Sequence, residues 1–251
     1  MTKQLLEVKD LLKPEVLKIT EDYLILYKPP KMHSAPGKGE NLAGWCADSF
    51  PEILDIKGRR EGEGGLIHRL DYETHGLLLF ARNQEAFEKL LDCQNQGRII
   101  KEYSAISSRS AVKPAGFPLP ENHIPPLMQK TNDEQEPFII KSFFRPYGPG
   151  RKQVRPVLPT GSGDQGNIYE TKVLEKRSYN ELLVFRLSLC RGFRHQIRCH
   201  LAWEGFPILN DSVYGGMENE RGFLALRAGG LCFFDPASRD EVFFCLPPLL
   251  L

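Results

Sequence analysis

The sequence predicts an α+β fold in which a mixed, largely antiparallel central sheet is flanked by helices and loops. Short apolar runs recur along the chain, Pro and Gly separate them, and only two segments have a helical pattern. The 251 residues, 41% of them hydrophobic, can bury a sizeable core. We therefore expect a single domain over residues 1–251.

Five apolar segments have the length and the boundaries of strands, because each is short and is enclosed by turn residues or charges. They are residues 23–27, 76–81, 103–106, 182–187 and 241–245. Segments this short favour strands over helices.

Two segments carry helix signals. The first begins near Asn83, a favourable N-cap residue, has Phe87 and Leu90 at helical spacing, and stops by Gly97. The second is expected to start after Gly192.

In this second helix, Arg194 and Arg198 would lie four residues apart on a basic face. An apolar face would lie beside it, and Gly205 is placed to cap the C-terminal end.

Residues 111–166 differ from the rest of the chain because they are rich in Pro and Gly and carry an acidic patch at 133–136. This composition predicts an insertion or a set of long surface loops, which are usually functional or mobile. The segment ends in a basic stretch, residues 145–155, with four basic side chains and no acidic one.

The overall charge excludes a global electrostatic argument for a polyanionic partner, because the net charge is only +1. A nucleic-acid surface must come from local clusters such as residues 145–155 and the three arginines of residues 191–200. On charge alone, each cluster is either an RNA contact or a solvated basic face.

The termini and the cysteines bear on cellular location. No window approaches the length of an apolar membrane span, and the N-terminus lacks the pattern of a secretory signal. The six cysteines are scattered without a C-x-x-C pair, which favours reduced thiols. We expect a cytoplasmic protein with no membrane association.

Asp71 is the candidate for chemistry that the residues themselves indicate. It lies between Arg69 and a small-residue turn, just before the apolar strand at 76–81. A loop ahead of a buried strand can hold an ionised carboxylate in a cleft, where it can act as a nucleophile. The alternative is structural, with Asp71 capping the turn and pairing with Arg69.

Four parts of the chain together resemble the RluA-type RNA pseudouridine synthases. Residues 68–82, which begin His-Arg-Leu-Asp, resemble the central motif, whose aspartate is the catalytic residue of the family. Residues 28–33 resemble the first motif, and residues 101–105 resemble the K-x-Y-x-A strand. Residues 192–201 and 205–215 resemble the C-terminal signature.

The matches follow the family's order from roughly residue 20 to residue 247. They imply the pseudouridine synthase fold, as a catalytic domain without the small N-terminal S4 RNA-binding domain of many relatives.

The resemblance also implies residue roles. Asp71 would attack or deprotonate the sugar of a flipped-out uridine, Tyr103 would stack on the target base, and Arg198 would hold Asp71 ionised. Arg69 would help to extrude the base. The other substrate-binding residues would be His68, Arg194, His195, Arg151, Lys152 and Arg155.

The implied activity is isomerisation of a specific uridine to pseudouridine in structured RNA, either ribosomal or transfer RNA. It needs no cofactor and no metal, and we expect a monomer. Two rival interpretations stay open: an inactive RNA-binding module of the same fold, and a metal-dependent hydrolase. The hydrolase would combine Asp71 with His33, His68, His195 and His200, although these lack a familiar ligand spacing.

The chain departs from the family pattern at several positions. Phe193 stands where an arginine is usual, and Arg194 follows it one place later. The other departures are His75 for serine, Asn210 for glycine and Arg227 for histidine. The Phe193–Arg194 change puts contacts near the rim of the active site in doubt.

Overall fold

The computed structural model describes residues 2–37, 39–118, 137–158, 166–220 and 222–247. In chain order the elements are β1 (Thr2–Leu5), β2 (Glu15–Ile19), β3 (Tyr23–Lys28), α1 (Leu42–Ser49), β4 (His75–Ala81), α2 (Gln84–Asn95), β5 (Ile100–Ser108), β6 (Phe138–Tyr147), β7 (Gln153–Val157), β8 (Tyr169–Tyr179), β9 (Leu182–Leu189), α3 (Gln196–Trp203), β10 (Leu226–Phe234) and β11 (Glu241–Cys245). No helix in these described ranges is both long and apolar enough to cross a bilayer.

The chain forms two compact units, the first from the described residues within 1–102 and 227–250, the second from those within 103–226. In the first unit the strand order is β2-β3-β4-β10-β11-β1. The pairs β4–β10 and β1–β11 are parallel, and the other three are antiparallel. Every residue of β3 and β4 is buried, which explains why these central strands are continuous apolar runs.

Gly76, near the start of β4, has a positive φ of 127°. A Cβ atom at this position would lie 2.2 Å from the carbonyl oxygen of Ala228 on β10. Only glycine therefore permits this approach of the two strands. The close contact fixes the start of β4, directly after the loop that contains Asp71.

In the second unit β9, β8, β6 and β7 are joined by antiparallel pairs, and β5 lies on the other side of β9. The α3 helix contacts β7 and β8. Antiparallel pairing thus dominates in both units, as the sequence predicts.

The five predicted strands are present as β3, β4, β5, β9 and β11. The first predicted helix is α2, and its N-cap is confirmed because the Asn83 side chain accepts a hydrogen bond from the Ala86 amide at 2.8 Å. The prediction for α3 is wrong at its start. His195 has a positive φ of 56°, so the helix begins only at Gln196 and does not include Arg194.

All eight residues of α3 are buried, so it has no exposed basic face. Gly205 does end this helix, with a φ of 87° and its amide bonded to the Ala202 carbonyl at 3.1 Å.

The prediction of loops throughout 111–166 needs correction. Residues 138–147 and 153–157 form an antiparallel hairpin, β6–β7, which carries the basic stretch. Residues 138–142 alternate in burial along β6, but their sequence, Phe-Ile-Ile-Lys-Ser, does not alternate between apolar and polar residues, so the usual strand signal is absent. The acidic patch at 133–136 lies outside the described residues.

Candidate active site

The loop that carries Asp71 is tied to the segment after β3 on both sides of the aspartate. The Ser34 hydroxyl accepts from the Leu70 amide at 3.0 Å and donates to the Leu70 carbonyl at 2.9 Å. The ammonium of Lys28 donates to the carbonyl of Tyr72 at 3.3 Å. Because residues 70 and 72 are both anchored, the backbone that presents Asp71 has little freedom.

Lys28 lies at the end of β3 and is fully buried. Besides Tyr72, its ammonium donates to the carbonyls of Pro29 and Met32, both at 2.8 Å. Burial lowers the pKa of Lys28 to about 7, and the negative charges of Asp71 and Glu73 oppose this shift. The sequence motif contains Lys28, but its place beneath the aspartate loop is visible only in the structure.

His68 lies on the same loop and is buried, with 6% of its surface exposed. Burial lowers its pKa well below 6.5, and the nearby positive charges of Lys101 and Arg59 act in the same direction. Neither ring nitrogen has a hydrogen-bond partner among the described residues. His68 is thus a buried, uncharged ring on the loop that carries Asp71, and its expected contact with the substrate stays a prediction.

This burial predicts a pH effect on stability. Below about pH 6.5 the unfolded chain protonates His68 and the folded protein does not, so stability falls by up to about 1.4 kcal/mol per pH unit from this residue. Between about pH 6.5 and 5.5 we expect the free energy of unfolding, measured with urea, to decrease less in His68→Leu than in the wild type. Equal decreases in the two proteins would contradict the conclusion that His68 is buried in its uncharged form.

Arg69 points away from the buried side of the loop, and its side chain is half exposed. Its guanidinium lies 3.4 Å from the carboxylate of Glu63. At this exposure the ion pair contributes little to stability, so it leaves Arg69 able to exchange Glu63 for a ligand. This position is compatible with its expected role in extruding a base.

In the second unit Arg198 projects from α3 and pairs with Asp211. Its Nε and Nη2 atoms each lie 2.8 Å from a carboxylate oxygen, and both side chains are buried. One oxygen of Asp211 also accepts from the amides of Val213 and Tyr214, at 3.1 Å each. The bidentate pair fixes the plane of the guanidinium. Sequence reasoning missed Asp211 as its partner, because spacing alone does not identify this pair.

His195 and Tyr103 also belong to the second unit. The Nδ1 atom of His195 lies 3.2 Å from the Tyr214 hydroxyl. Burial lowers the pKa of His195 to about 3, and the positive charges of Arg198 and Arg194 add to this effect. His195 is therefore a neutral hydrogen-bonding group directly before α3.

Tyr103 lies on β5 with 7% of its surface exposed.

Arg155 is not the flexible phosphate contact that the sequence predicts. It is buried, and its guanidinium donates to the carbonyls of Ala115 and Val154 and to the Gln153 side chain. It also lies 4.1 Å from the ring centre of Tyr147. These contacts engage its planar face and its donors, so its role is to hold the hairpin.

Arg151 and Lys152, by contrast, are exposed at the turn of the hairpin, and Arg145 is exposed on β6. The guanidinium of Arg194 donates to the main-chain carbonyls of Arg151 and Gln153. Arg194 therefore adds positive charge to the same exposed surface. We call Arg145, Arg151, Lys152 and Arg194 the basic hairpin surface.

The sequence model described as RNA pseudouridylate synthase matches residues 22–203, which include the Asp71 loop and α3. The chain belongs to the RNA pseudouridylate synthase family. The predicted family is therefore confirmed.

Two curated members of this family illustrate the similarity. Ribosomal large subunit pseudouridine synthase D of Haemophilus ducreyi is 29% identical over 78% of this chain and 51% of its own length. Ribosomal large subunit pseudouridine synthase C of Rickettsia typhi is 30% identical over 80% of this chain and 59% of its own length. The chain thus spans about half to three fifths of these relatives.

The solved structures agree on the fold. Human RNA pseudouridylate synthase domain containing 1 has a TM-score of 0.62 at 21% identity, covering 96% of this chain and 86% of that chain. Human RNA pseudouridylate synthase domain containing 4 has a TM-score of 0.59 at 19% identity, covering 94% of this chain and 88% of that chain. The predicted pseudouridine synthase fold is therefore confirmed.

Phe193, which replaces the arginine usual in the family, packs into an aromatic cluster. Its ring stacks parallel to Phe144 with centroids 5.1 Å apart and contacts Tyr169 at 4.9 Å. Its amide donates to the Gln196 side chain at 2.9 Å. The replacement of the usual arginine by Phe193 is thus accommodated by packing, while Arg194 supplies a positive charge one residue later.

The histidines expected by the metal-dependent rival have other surroundings. His200 is buried and lies within hydrogen-bond distance of the Ser142 and Thr171 hydroxyls, at 2.9 and 2.8 Å. In the part of the chain that the structure describes, no three His, Cys, Asp or Glu side chains form a group that could hold a metal ion.

Proposed function

We propose that this family member isomerises a specific uridine to pseudouridine in structured RNA, with Asp71 as the catalytic residue. The observation that carries the proposal is the anchored loop. Ser34 holds residue 70, Lys28 holds residue 72, and Asp71 lies between these two residues, shortly before the start of β4. Such fixed positioning of a carboxylate is what a covalent or general-base step requires.

The reaction conserves all atoms and needs no oxidant or reductant. The bond between C1′ and N1 of the uridine breaks while Asp71 engages the sugar, the uracil turns, and a bond from C1′ to C5 forms. The proton on C5 is then removed and N1 gains one. We propose that Tyr103 stacks on the base and that Arg198 holds Asp71 ionised and oriented, as the resemblance to the family implies.

Ribosomal or transfer RNA is the proposed substrate. The names of the Haemophilus and Rickettsia relatives refer to the ribosomal large subunit, which supports the ribosomal alternative. The basic hairpin surface supports RNA binding in general, because its exposed cations can contact phosphates of a folded RNA.

The test is to map pseudouridine in bacterial RNA prepared without this enzyme and then treated with purified protein. Carbodiimide-dependent primer-extension stops would locate the product. We expect new stops with the wild type and none with Asp71→Ala, which would identify the reaction and the RNA together. Bound RNA without stops in either sample would instead favour the inactive RNA-binding module.

The basic hairpin surface makes a separate prediction for binding. We expect the triple variant Arg145→Gln, Arg151→Gln and Lys152→Gln to reduce the slope of log affinity against log salt by about two to three. The measurement is a filter-binding titration with ribosomal RNA at several salt concentrations.

The control for this surface carries the same change in net charge elsewhere on the protein, at the exposed residues Lys13→Gln, Arg177→Gln and Arg239→Gln. An equal reduction of the slope in both triple variants would show that the hairpin is merely one part of a solvated surface.

A further inference from the structure

Two aromatic rings lie at the surface beside Asp71. The rings of Tyr72 and His33 have centroids 4.7 Å apart at an angle of 40°. Tyr72 is 44% exposed, and His33 is also exposed. A large ring exposed to this extent contributes little to the core, so the pair is not explained by packing of the fold.

The backbone beneath both rings is held by the contacts that anchor the Asp71 loop. The ammonium of Lys28 binds the carbonyl of Tyr72 and also that of Met32, the residue before His33. The carbonyl of His33 accepts from the Leu42 amide at 2.8 Å. The two rings are thus placed before any ligand arrives, which lowers the entropy cost of binding to them.

Positive charge accompanies the rings. Lys31 is exposed two residues before His33, and Arg69 is half exposed two residues before Asp71. Aromatic faces beside cations are the combination that binds unpaired nucleotides, because bases stack on the rings and phosphates contact the cations.

We propose that Tyr72 and His33 form a stacking platform for an unpaired base that neighbours the target uridine. The inference rests on the proposed function. Extruding the uridine removes a stacking partner from the adjacent base, and a ring one residue from Asp71 can replace that partner. The platform would therefore help to bind the opened RNA and would not take part in the bond changes.

The test measures binding, so it does not depend on turnover. The probes are a fluorescently labelled oligouridylate of about twelve nucleotides and an abasic ribose-phosphate strand of the same length. We expect Tyr72→Ala to weaken oligouridylate binding roughly tenfold, and Tyr72→Phe to bind as the wild type does, because phenylalanine keeps the ring face. On the abasic strand all three proteins should bind equally.

Tyr179→Ala is the matched control, since Tyr179 is an exposed tyrosine on β8 with 58% of its surface accessible. Equal binding by the Tyr72→Ala and Tyr179→Ala variants would overturn the platform, as would an equal loss on the abasic strand or no oligouridylate binding by the wild type. Pseudouridine mapping decides the proposed function separately. If the wild type makes pseudouridine and Tyr72→Ala does not change the affinity for oligouridylate, only the proposal of the stacking platform is rejected.

Discussion

Asp71→Asn is expected to lower the rate of pseudouridine formation by about four orders of magnitude or more, a loss comparable to removing a nucleophile in other enzymes. The amide has nearly the shape of the carboxylate but cannot act as a nucleophile or a base at neutral pH. The loop should keep its conformation, because its anchors are backbone atoms of Leu70 and Tyr72. The defect should therefore be chemical.

The measurement is a single-turnover assay on the RNA that the mapping identifies, together with the affinity for that RNA and the free energy of unfolding. We expect affinity and stability to stay close to wild type, since phosphate contacts supply most of the binding. Asp55→Asn is the control, because Asp55 is an exposed aspartate of the same unit. A rate within about tenfold of wild type would remove Asp71 from the chemistry.

The sequence predicts those parts of the fold in which local signals and tertiary packing agree. The continuous apolar runs at β3 and β4 are strands because both are buried throughout. The α2 helix begins where the Asn83 side chain can cap it. Asp71 can be identified as the catalytic candidate from the sequence for a similar reason, since it lies in a distinctive motif directly ahead of β4.

The elements that were missed depend on contacts between distant residues. The β10 strand contains adjacent glycines, which by themselves indicate a break. In the structure a Cβ atom at Gly230 would lie 3.0 Å from Glu102 and 3.1 Å from Phe243, so the missing side chain makes room for tight packing. No local pattern encodes this contact.

The charged residues illustrate the same limit. Arg155 lies in a basic stretch beside Arg151 and Lys152, and composition cannot separate them. Only the fold shows that aromatic rings and carbonyl groups enclose Arg155 while its two neighbours are exposed. Which carboxylate pairs with Arg198 is likewise a property of the fold, because Asp211 is brought to it by the turn after α3.

That pair gives the other large expected effect. Asp211→Ala should lower the free energy of unfolding by about 3–5 kcal/mol, because it removes the carboxylate from a buried guanidinium. Urea unfolding measures the loss. The control is Glu52→Ala, which removes the 2.8 Å partner of the partly exposed Arg82 and should cost about 1 kcal/mol or less. Equal losses of unfolding free energy in the two variants would contradict the conclusion that burial makes the Arg198–Asp211 pair more costly to break.

A double variant then separates stability from catalysis. Arg198→Met combined with Asp211→Leu replaces the buried ion pair by apolar side chains, so it should recover most of the stability lost in Asp211→Ala. If Arg198 orients Asp71 as proposed, the recovered protein should still convert uridine at least about a hundredfold more slowly than wild type. Restored stability with normal turnover would assign Arg198 to the fold alone. Restored stability without turnover would show that the buried pair is retained for the reaction, because the fold can be maintained without it.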